Sequence, residues 1–176
     1  MSQQSARYER SAGGMVTAMV VMVVLLLAWI GFRAVTTDHP TSAVHDVDWA
    51  RVVPSARETA TFELVAPARL PRGWQATSVS FKDTKPSHWH LGVLTDTDRY
   101  VGLEQGYESV PSMVETFVDD RATQGTAADV AGRPWSTYTD GGGDLALVRR
   151  AGGVTTLVVG HDVPRSTLVS YASSLR

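Results

Sequence analysis

The stretch SHWHLGVLT, residues 87–95, decides how the chain folds. Within it Trp89 and Leu91 alternate with His88 and His90. Because successive side chains of a strand point to opposite faces, one face of this segment would be apolar and the other would carry both histidines. The pattern predicts a central strand with a core on one side. It also raises the question of whether the histidine pair binds a metal ion or simply faces water.

Two similar runs flank this strand. Residues 74–81 alternate between small polar and apolar side chains, and residues 99–106 do so again after the turn residues 95–98. Three short runs separated by turn residues predict a meander of antiparallel strands. A helix should follow, since Ser112 and Glu115 have the spacing of a capping box.

The second half of the chain repeats this plan. Strands are predicted at residues 133–139, 144–150 and 154–160, and a closing helix near Pro164, where residues 162–166 offer capping side chains. The repeated strand–strand–strand–helix unit is either an internal duplication or the ordinary way in which an antiparallel sheet packs a helix. Both alternatives place the protein in the α+β class, with an antiparallel sheet and two helices covering one of its faces.

A long apolar run precedes this domain. Residues 15–32, MVTAMVVMVVLLLAWIGF, contain no charge, and with residues 12–14 they are long enough to cross a ~30 Å hydrocarbon layer as a helix. A cleaved signal peptide would have a shorter apolar region of ~7–15 residues and a small-residue cleavage site, which is missing here. We therefore predict an uncleaved transmembrane helix over residues 12–32.

The charges around this run predict its orientation. Arg7 and Arg10 precede it, and Arg33 follows it. Because Lys and Arg near the ends of a transmembrane helix favour the cytoplasmic side, residues 1–11 are expected to form a short cytoplasmic tail. The protein would then be a single-pass protein of the cell membrane with its C-terminal domain outside the cytoplasm.

The rest of the chain divides into a linker and a folded domain. Residues 33–48 are largely polar and predict a juxtamembrane linker, and residues 49–176 predict the extracytoplasmic α+β domain. A short helix over residues 54–60 should open the domain, since Pro54 is favoured in the first turn of a helix.

Composition excludes several classes of function. The chain has 176 residues, a formal net charge of −2 and 43% hydrophobic residues, which is typical of a folded protein. It contains no cysteine, so disulfides, thiolate catalysis and cysteine metal sites are excluded. No cluster of Lys and Arg is present to indicate nucleic-acid binding.

Five motifs together resemble a known family: LPRGW, WHLGVLT followed by YVGLEQ, GRPWSTY and LVSYASSL. In their order and spacing they are similar to an actinobacterial family of membrane-anchored proteins described only as domain of unknown function 4245. The resemblance covers nearly the whole chain. It implies a single-pass membrane protein with an extracytoplasmic domain and no assigned activity, and it brings no catalytic residues.

The histidine pair is the most specific candidate site. A zinc site needs a third protein ligand besides His88 and His90, and the candidates are His161 with its neighbour Asp162, or Glu104 if its strand pairs suitably. No HExxH motif supports this assignment. A solvent-facing or hydrogen-bonded pair is the preferred interpretation, so we expect no metal, no cofactor and no catalytic residues.

Other patterns have simple structural explanations. No GxSxG motif indicates a serine nucleophile. An acidic pair should lie at a solvated helix end, and a run of glycines should form a hairpin turn. Three tryptophans are expected to be core residues rather than the lining of a ligand groove. These residues are Asp119 and Asp120, Gly141 to Gly143, and Trp74, Trp89 and Trp135.

The preferred function is a non-enzymatic, extracytoplasmic binding or interaction module, held at the membrane by residues 12–32. Its partner would be an envelope protein, an envelope polymer or a lipid, and not nucleic acid. The alternative is a metal-dependent hydrolase using His88, His90 and His161. A third hypothesis is a regulator that signals through the membrane helix, which would need a partner because the cytoplasmic tail is short.

Overall fold

The computed structural model describes residues 47–176, together with residues 19, 20 and 22. The chain divides into two compact units, residues 1–43 and residues 44–176. Three predicted segments therefore lie largely or wholly outside the described residues. They are the cytoplasmic tail, the transmembrane helix apart from residues 19, 20 and 22, and the linker up to residue 46. Among the described residues, no helix combines the length and the apolar character that a membrane crossing requires.

The second unit contains three helices and seven strands within the described residues. In chain order they are α1 (Trp49–Thr59), β1 (Gln75–Lys82), β2 (His88–Leu94), β3 (Tyr100–Gly106), α2 (Val110–Phe117), β4 (Thr123–Val130), β5 (Arg133–Thr139), β6 (Asp144–Ala151), β7 (Val154–His161) and α3 (Arg165–Ser173). The predicted α+β class is confirmed.

The seven strands form one sheet in the order β1-β2-β3-β7-β6-β5-β4, and every neighbouring pair is antiparallel. The predicted meander is therefore present as β1-β2-β3. The pairing of β3 with β7 joins this meander to the strands of the second half.

The central strand predicted from residues 87–95 is confirmed as β2. Trp89, Leu91 and Val93 are fully buried on one face of the sheet. They belong to the larger core, to which α1 contributes Val53 and α3 contributes Leu168, among others.

The helices cover both faces of the sheet, so the expectation that they would share one face is wrong. α2 packs Met113 and Val114 against a second cluster on the opposite face, formed by alternate residues of β6 and β7. The physical reason lies in these two strands, because their side chains are apolar in both directions. Leu147 of β6 and Val158 of β7 enter the larger core. Their sequence neighbours face α2, and these are Val148 on β6 and Leu157 and Val159 on β7.

The two halves of the domain also differ in their strands. β4 was missed by the sequence analysis, because TQGTAADV is polar, mostly exposed and at the sheet edge, where alternation is weak. If the two halves were duplicates, a twofold axis perpendicular to the sheet would relate β1-β2-β3 to β5-β6-β7. Such an axis would place the helices of the two halves on the same face of the sheet. α2 and α3, on opposite faces, do not follow such a rotation.

Three helix starts differ from their predictions. α1 begins at Trp49 after the cap Asp48, so Pro54 lies inside it rather than in its first turn. The cap of α2 is Ser109, whose side chain accepts from the backbone N–H of Ser112. α3 follows Pro164 without a hydrogen bond from a capping side chain.

Candidate functional site

The two histidines lie on the face of the sheet that α2 only partly covers. Since α2 packs over β6 and β7, the neighbouring surface of β1 to β3 is left to polar side chains. His90 pairs with Glu104 across the β2–β3 ladder. We call the connected polar side chains on this surface the histidine cluster; its members are Ser78, His88, His90, Glu104 and Glu108.

Glu104 is the centre of the histidine cluster. Its side chain is only 3% exposed, and each carboxylate oxygen contacts a different imidazole ring. Oε1 lies 2.6 Å from His90 Nδ1, and Oε2 lies 2.8 Å from His88 Nε2. Charge-assisted hydrogen bonds of this length compensate a carboxylate for the loss of water. The carboxylate therefore fixes the orientation of both rings.

Ser78 completes a chain of hydrogen bonds through His90. Its Oγ lies 2.8 Å from His90 Nε2, on the opposite side of the ring from Glu104. If Nδ1–H donates to the Glu104 carboxylate, Nε2 of the neutral ring accepts the hydroxyl proton of Ser78. Hydroxyl, imidazole and carboxylate then have the relative order found in serine hydrolases.

His88 contacts two carboxylates. Its Nε2 faces Glu104, and its Nδ1 lies 3.3 Å from Glu108 Oε1. The hydrogen bond with Glu104 is the main cause that raises the pKa of His88 above its ordinary value of 6.5, opposed by burial and assisted by the charges of both glutamates. The Phe117 ring stacks on the imidazole at a centroid distance of 5.6 Å.

No metal site is assembled from the predicted ligands. Among residues 47–176, no three His, Cys, Asp or Glu side chains are placed to hold a metal ion. His161 pairs with Asp144 at the far end of the sheet, with 2.9 Å between Nδ1 and Oδ1. The strand register puts it about 20 Å from His88 along the strand direction. Of the two predicted third ligands, only Glu104 meets the histidine pair, and it does so through hydrogen bonds.

Gly92 allows two hydroxyl groups to approach the backbone of β2 closely. A Cβ atom placed on Gly92 would be 2.4 Å from Ser78 Oγ and 3.0 Å from Tyr100 Oη. The two hydroxyls therefore occupy the position that a side chain at residue 92 would need, so only glycine fits there. Burial, together with the charge of Glu104, raises the pKa of Tyr100 to about 12, so its hydroxyl is a hydrogen-bond donor at neutral pH.

A second candidate site lies on the opposite face, where the sheet extends beyond α1 and α3. A cavity of about 570 Å³ adjoins another of about 260 Å³, and the two share five lining residues. We call them together the arginine cleft; the shared residues are Val65, Arg133, Arg149, Thr156 and Leu175.

Comparison with known proteins places the chain in a family. The model of the family described as "Protein of unknown function (DUF4245)" matches residues 7–175. The chain belongs to this family. Among curated proteins, no match is found. The match confirms the resemblance seen in the sequence motifs and assigns no activity to the residues of either site.

The tryptophans of the DUF4245 chain have two different environments. Trp89 and Trp135 are buried, as expected for core residues. Trp74 stacks on Tyr171 at 5.4 Å and lines a separate open groove of about 760 Å³, together with Arg69 and Arg72. Trp74 is also partly buried against the larger core, so it is a core residue, as expected, whose outer face lines this groove.

The remaining patterns of the DUF4245 chain have the roles expected of them. Asp119 and Asp120 follow α2 at the surface and contact Arg121. Gly141 to Gly143 lie in the turn that joins β5 to β6. Neither feature approaches the histidine cluster or the arginine cleft.

Ser78 and Glu108 of the histidine cluster, and the arginines of the cleft, were not predicted from the sequence. A β-bulge between Ala76 and Ser78 explains the first omission. Simple alternation puts these two residues on one face, whereas the bulge turns Ala76 into the core and leaves Ser78 beside His90. Val79 and Phe81 could have indicated this placement. If these two hydrophobic side chains face the core, then Ser78 and Ser80 must face the opposite side.

Proposed function

We propose that the chain is a single-pass membrane protein whose domain, residues 49–176, lies outside the cytoplasm and binds a ligand without catalysing a reaction. The ligand is an envelope protein, an envelope polymer or a lipid. The apolar run at residues 15–32 supports the membrane anchor, and the charges of Arg7 and Arg10 support the orientation.

The open clefts on the α1–α3 side are the observation that carries the binding function. Two of them have volumes of about 760 and 570 Å³, within the range of roughly 300–1,000 Å³ typical of ligand sites. Each combines aromatic and aliphatic walls with a few arginine side chains. Such a lining supplies both contact area and orienting polar groups.

Site-specific crosslinking in the native membrane tests this proposal. A photoreactive phenylalanine derivative in place of Tyr107, which lines the arginine cleft, should form a discrete adduct. The same probe in place of Glu115, exposed on α2 across the sheet, is the matched control. Identical adducts at both positions would contradict the proposal, as would turnover of a substrate that one point substitution abolishes.

Serine hydrolysis is a second candidate function, favoured by the order Ser78–His90–Glu104. In this reaction Ser78 Oγ would attack an ester carbonyl while His90 Nε2 takes the hydroxyl proton and then gives it to the leaving alcohol. Water would cleave the acyl-serine by the same proton transfers in reverse. Glu104 would hold the imidazole in the required tautomer.

Tyr100 is the donor nearest to this arrangement. Its Oη comes close to the same position above Gly92 as Ser78 Oγ, and in hydrolysis it would donate to the oxygen on which negative charge develops.

Labelling with a fluorophosphonate probe distinguishes the two candidates. A serine hydrolase would be modified at Ser78, and the Ser78→Ala and His90→Gln variants would lose the label. Ser80→Ala is the matched control, because Ser80 is exposed and lies directly opposite His90 without a recorded contact to its ring nitrogens. If Ser78 stays unmodified in the folded protein, hydrolysis is excluded and the binding function stands.

A further inference from the structure

We infer that the arginine cleft binds a phosphate-bearing ligand through Arg133 and Arg149. This inference rests on the proposed binding function and names the chemistry of its ligand. It is carried by the unpaired guanidinium groups, by their position on the core face of the sheet, and by the charge of the lining.

Both guanidinium groups lack a partner within the described part of the chain. Several other arginines of the domain have partners, whereas Arg69 and Arg72, which line the groove beside Trp74, share the unpaired state there. Arg150 donates to the Glu108 carbonyl and to Thr155 Oγ1, and Arg165 donates to two carbonyls of β4. Within residues 47–176, the side chains of Arg133 and Arg149 make no hydrogen bond or ion pair, although their backbones pair in the sheet.

Arg149 lies in a position that favours a bound anion. It belongs to a row of polar side chains across three strands, formed with Thr156 and Gln105 by direct cross-strand pairing. This row is on the face of the sheet that elsewhere forms the larger core. The side chain is half-buried, and a partly desolvated cation without a counter-ion is unfavourable. A bound anion would remove that cost.

The lining of the arginine cleft carries more positive than negative side chains. Arg133, Arg149 and Arg176 line the cleft, and Glu63 is the one acidic residue recorded along it. This excess of cations occurs in a chain with a net charge of −2. A phosphate group carries up to two negative charges and offers several acceptor oxygens, so it satisfies two guanidinium forks better than a single carboxylate does.

The walls of the cleft indicate what accompanies the phosphate. Phe62, Val65 and Val154 supply apolar surface at one end, and Trp135 and Val130 supply it at the other. The Thr156 hydroxyl, between the two ends, is free to donate to a phosphate oxygen. Both a lipid headgroup and a soluble phosphate ester combine an anion with such a neutral portion.

Titration calorimetry on the full chain in an uncharged detergent tests the inference. The probes are glycerol 3-phosphate, dihexanoyl phosphatidylglycerol and, as the net-neutral comparison, dihexanoyl phosphatidylcholine. We expect the anionic probes to bind, and Arg133→Met and Arg149→Met each to weaken binding about tenfold, as loss of a charge-assisted hydrogen bond does. Arg149→Lys should restore part of the loss, because it keeps the charge without the planar fork.

Arg121→Met is the matched control, since Arg121 is exposed on the loop after α2. Binding of both anionic probes would identify a soluble phosphate ester as a sufficient ligand, whereas binding of phosphatidylglycerol alone would identify a lipid headgroup. Both results support the inference. If neither anionic probe binds, or if binding is unchanged in the Arg133→Met/Arg149→Met double variant, the inference is overturned. In that case a discrete crosslink from position 107 would still support the proposed binding function, with an uncharged ligand.

Discussion

Glu104 lies directly opposite His90 in the β2–β3 ladder, with 2.6 Å between Glu104 Oε1 and His90 Nδ1. The second oxygen of the same buried carboxylate contacts His88. One carboxylate thus orients two imidazole rings, and a ring nitrogen that would otherwise be open to a metal ion is occupied on each of them. This relationship makes the surface of β1 to β3 a rigid hydrogen-bonded network.

Substitution of Glu104 should destabilise the domain. Glu104→Gln removes the negative charge but keeps the shape, so two charge-assisted hydrogen bonds of a buried group are lost or weakened. We expect the free energy of unfolding to fall by about 1.5–3 kcal/mol, measured by chemical denaturation. Glu115→Gln, at an exposed position of α2, should change it by less than about 0.5 kcal/mol. Equal effects of the two substitutions would contradict the central role of Glu104.

The raised pKa of His88 predicts a pH dependence of stability. A group with a higher pKa in the folded state binds its proton more tightly there, so its stabilising contribution is complete below the unfolded pKa near 6.5 and is lost as the pH rises through the folded pKa. The stability difference between the native chain and His88→Gln should therefore be larger at pH of about 5.5 than at about 8.5.

NMR titration of the imidazole protons provides a direct measurement for His88. The midpoint should lie above 6.5 in the native chain and move down in Glu104→Gln, because the hydrogen bond with Glu104 is the main cause of the shift. A midpoint at or below 6.5 in the native chain would show that burial of the ring outweighs its two carboxylate partners.

Gly92 is predicted to be required for packing around Ser78. In Gly92→Ala the new methyl group would approach Ser78 Oγ to 2.4 Å and Tyr100 Oη to 3.0 Å, so at least one side chain must move. Overpacking of this kind costs about 1–3 kcal/mol, and the Ser78–His90 hydrogen bond should be lost. Gly141→Ala is the control, because nothing lies within 4 Å of its Cβ position. Native stability of Gly92→Ala in chemical denaturation would show that the ring of Tyr100 is not held against the sheet.

The histidine cluster illustrates how far the sequence could be used for prediction. The alternation of Trp89 and Leu91 with His88 and His90 was sufficient to identify the central strand and its two faces, because that pattern is local. The meeting of His90 with Glu104 depends on strand register, and that of His90 with Ser78 depends on a bulge. Neither contact depends on local periodicity. The contact of His90 with Glu104 was therefore predicted only on the condition of suitable strand pairing, and its contact with Ser78 was not predicted.

The placement of α2 and the arginine cleft could not be predicted from local sequence patterns, for a similar reason. Apolar residues on both faces of β6 and β7 predict burial on both sides, but they do not identify the helix that covers each face. Arg149 was visible in the sequence only as half of the pair Arg149-Arg150. The structure directs the two side chains to opposite faces, where one is bonded and the other lines the cleft.

The orientation of the chain in the membrane is a prediction from residues outside the described part of the structure. Arg7 and Arg10 before the apolar run, against Arg33 after it, should keep the N-terminus in the cytoplasm. An alkaline phosphatase fused after Arg176 should then be active, since that enzyme needs an oxidising compartment for its disulfides. Because the charge difference is small, Arg7→Glu/Arg10→Glu should reduce the reporter's activity, whereas Arg121→Glu, far from the run in sequence, should leave it unchanged. An inactive phosphatase after Arg176, together with an active phosphatase fused to the N-terminus of the chain, would reverse the assigned orientation.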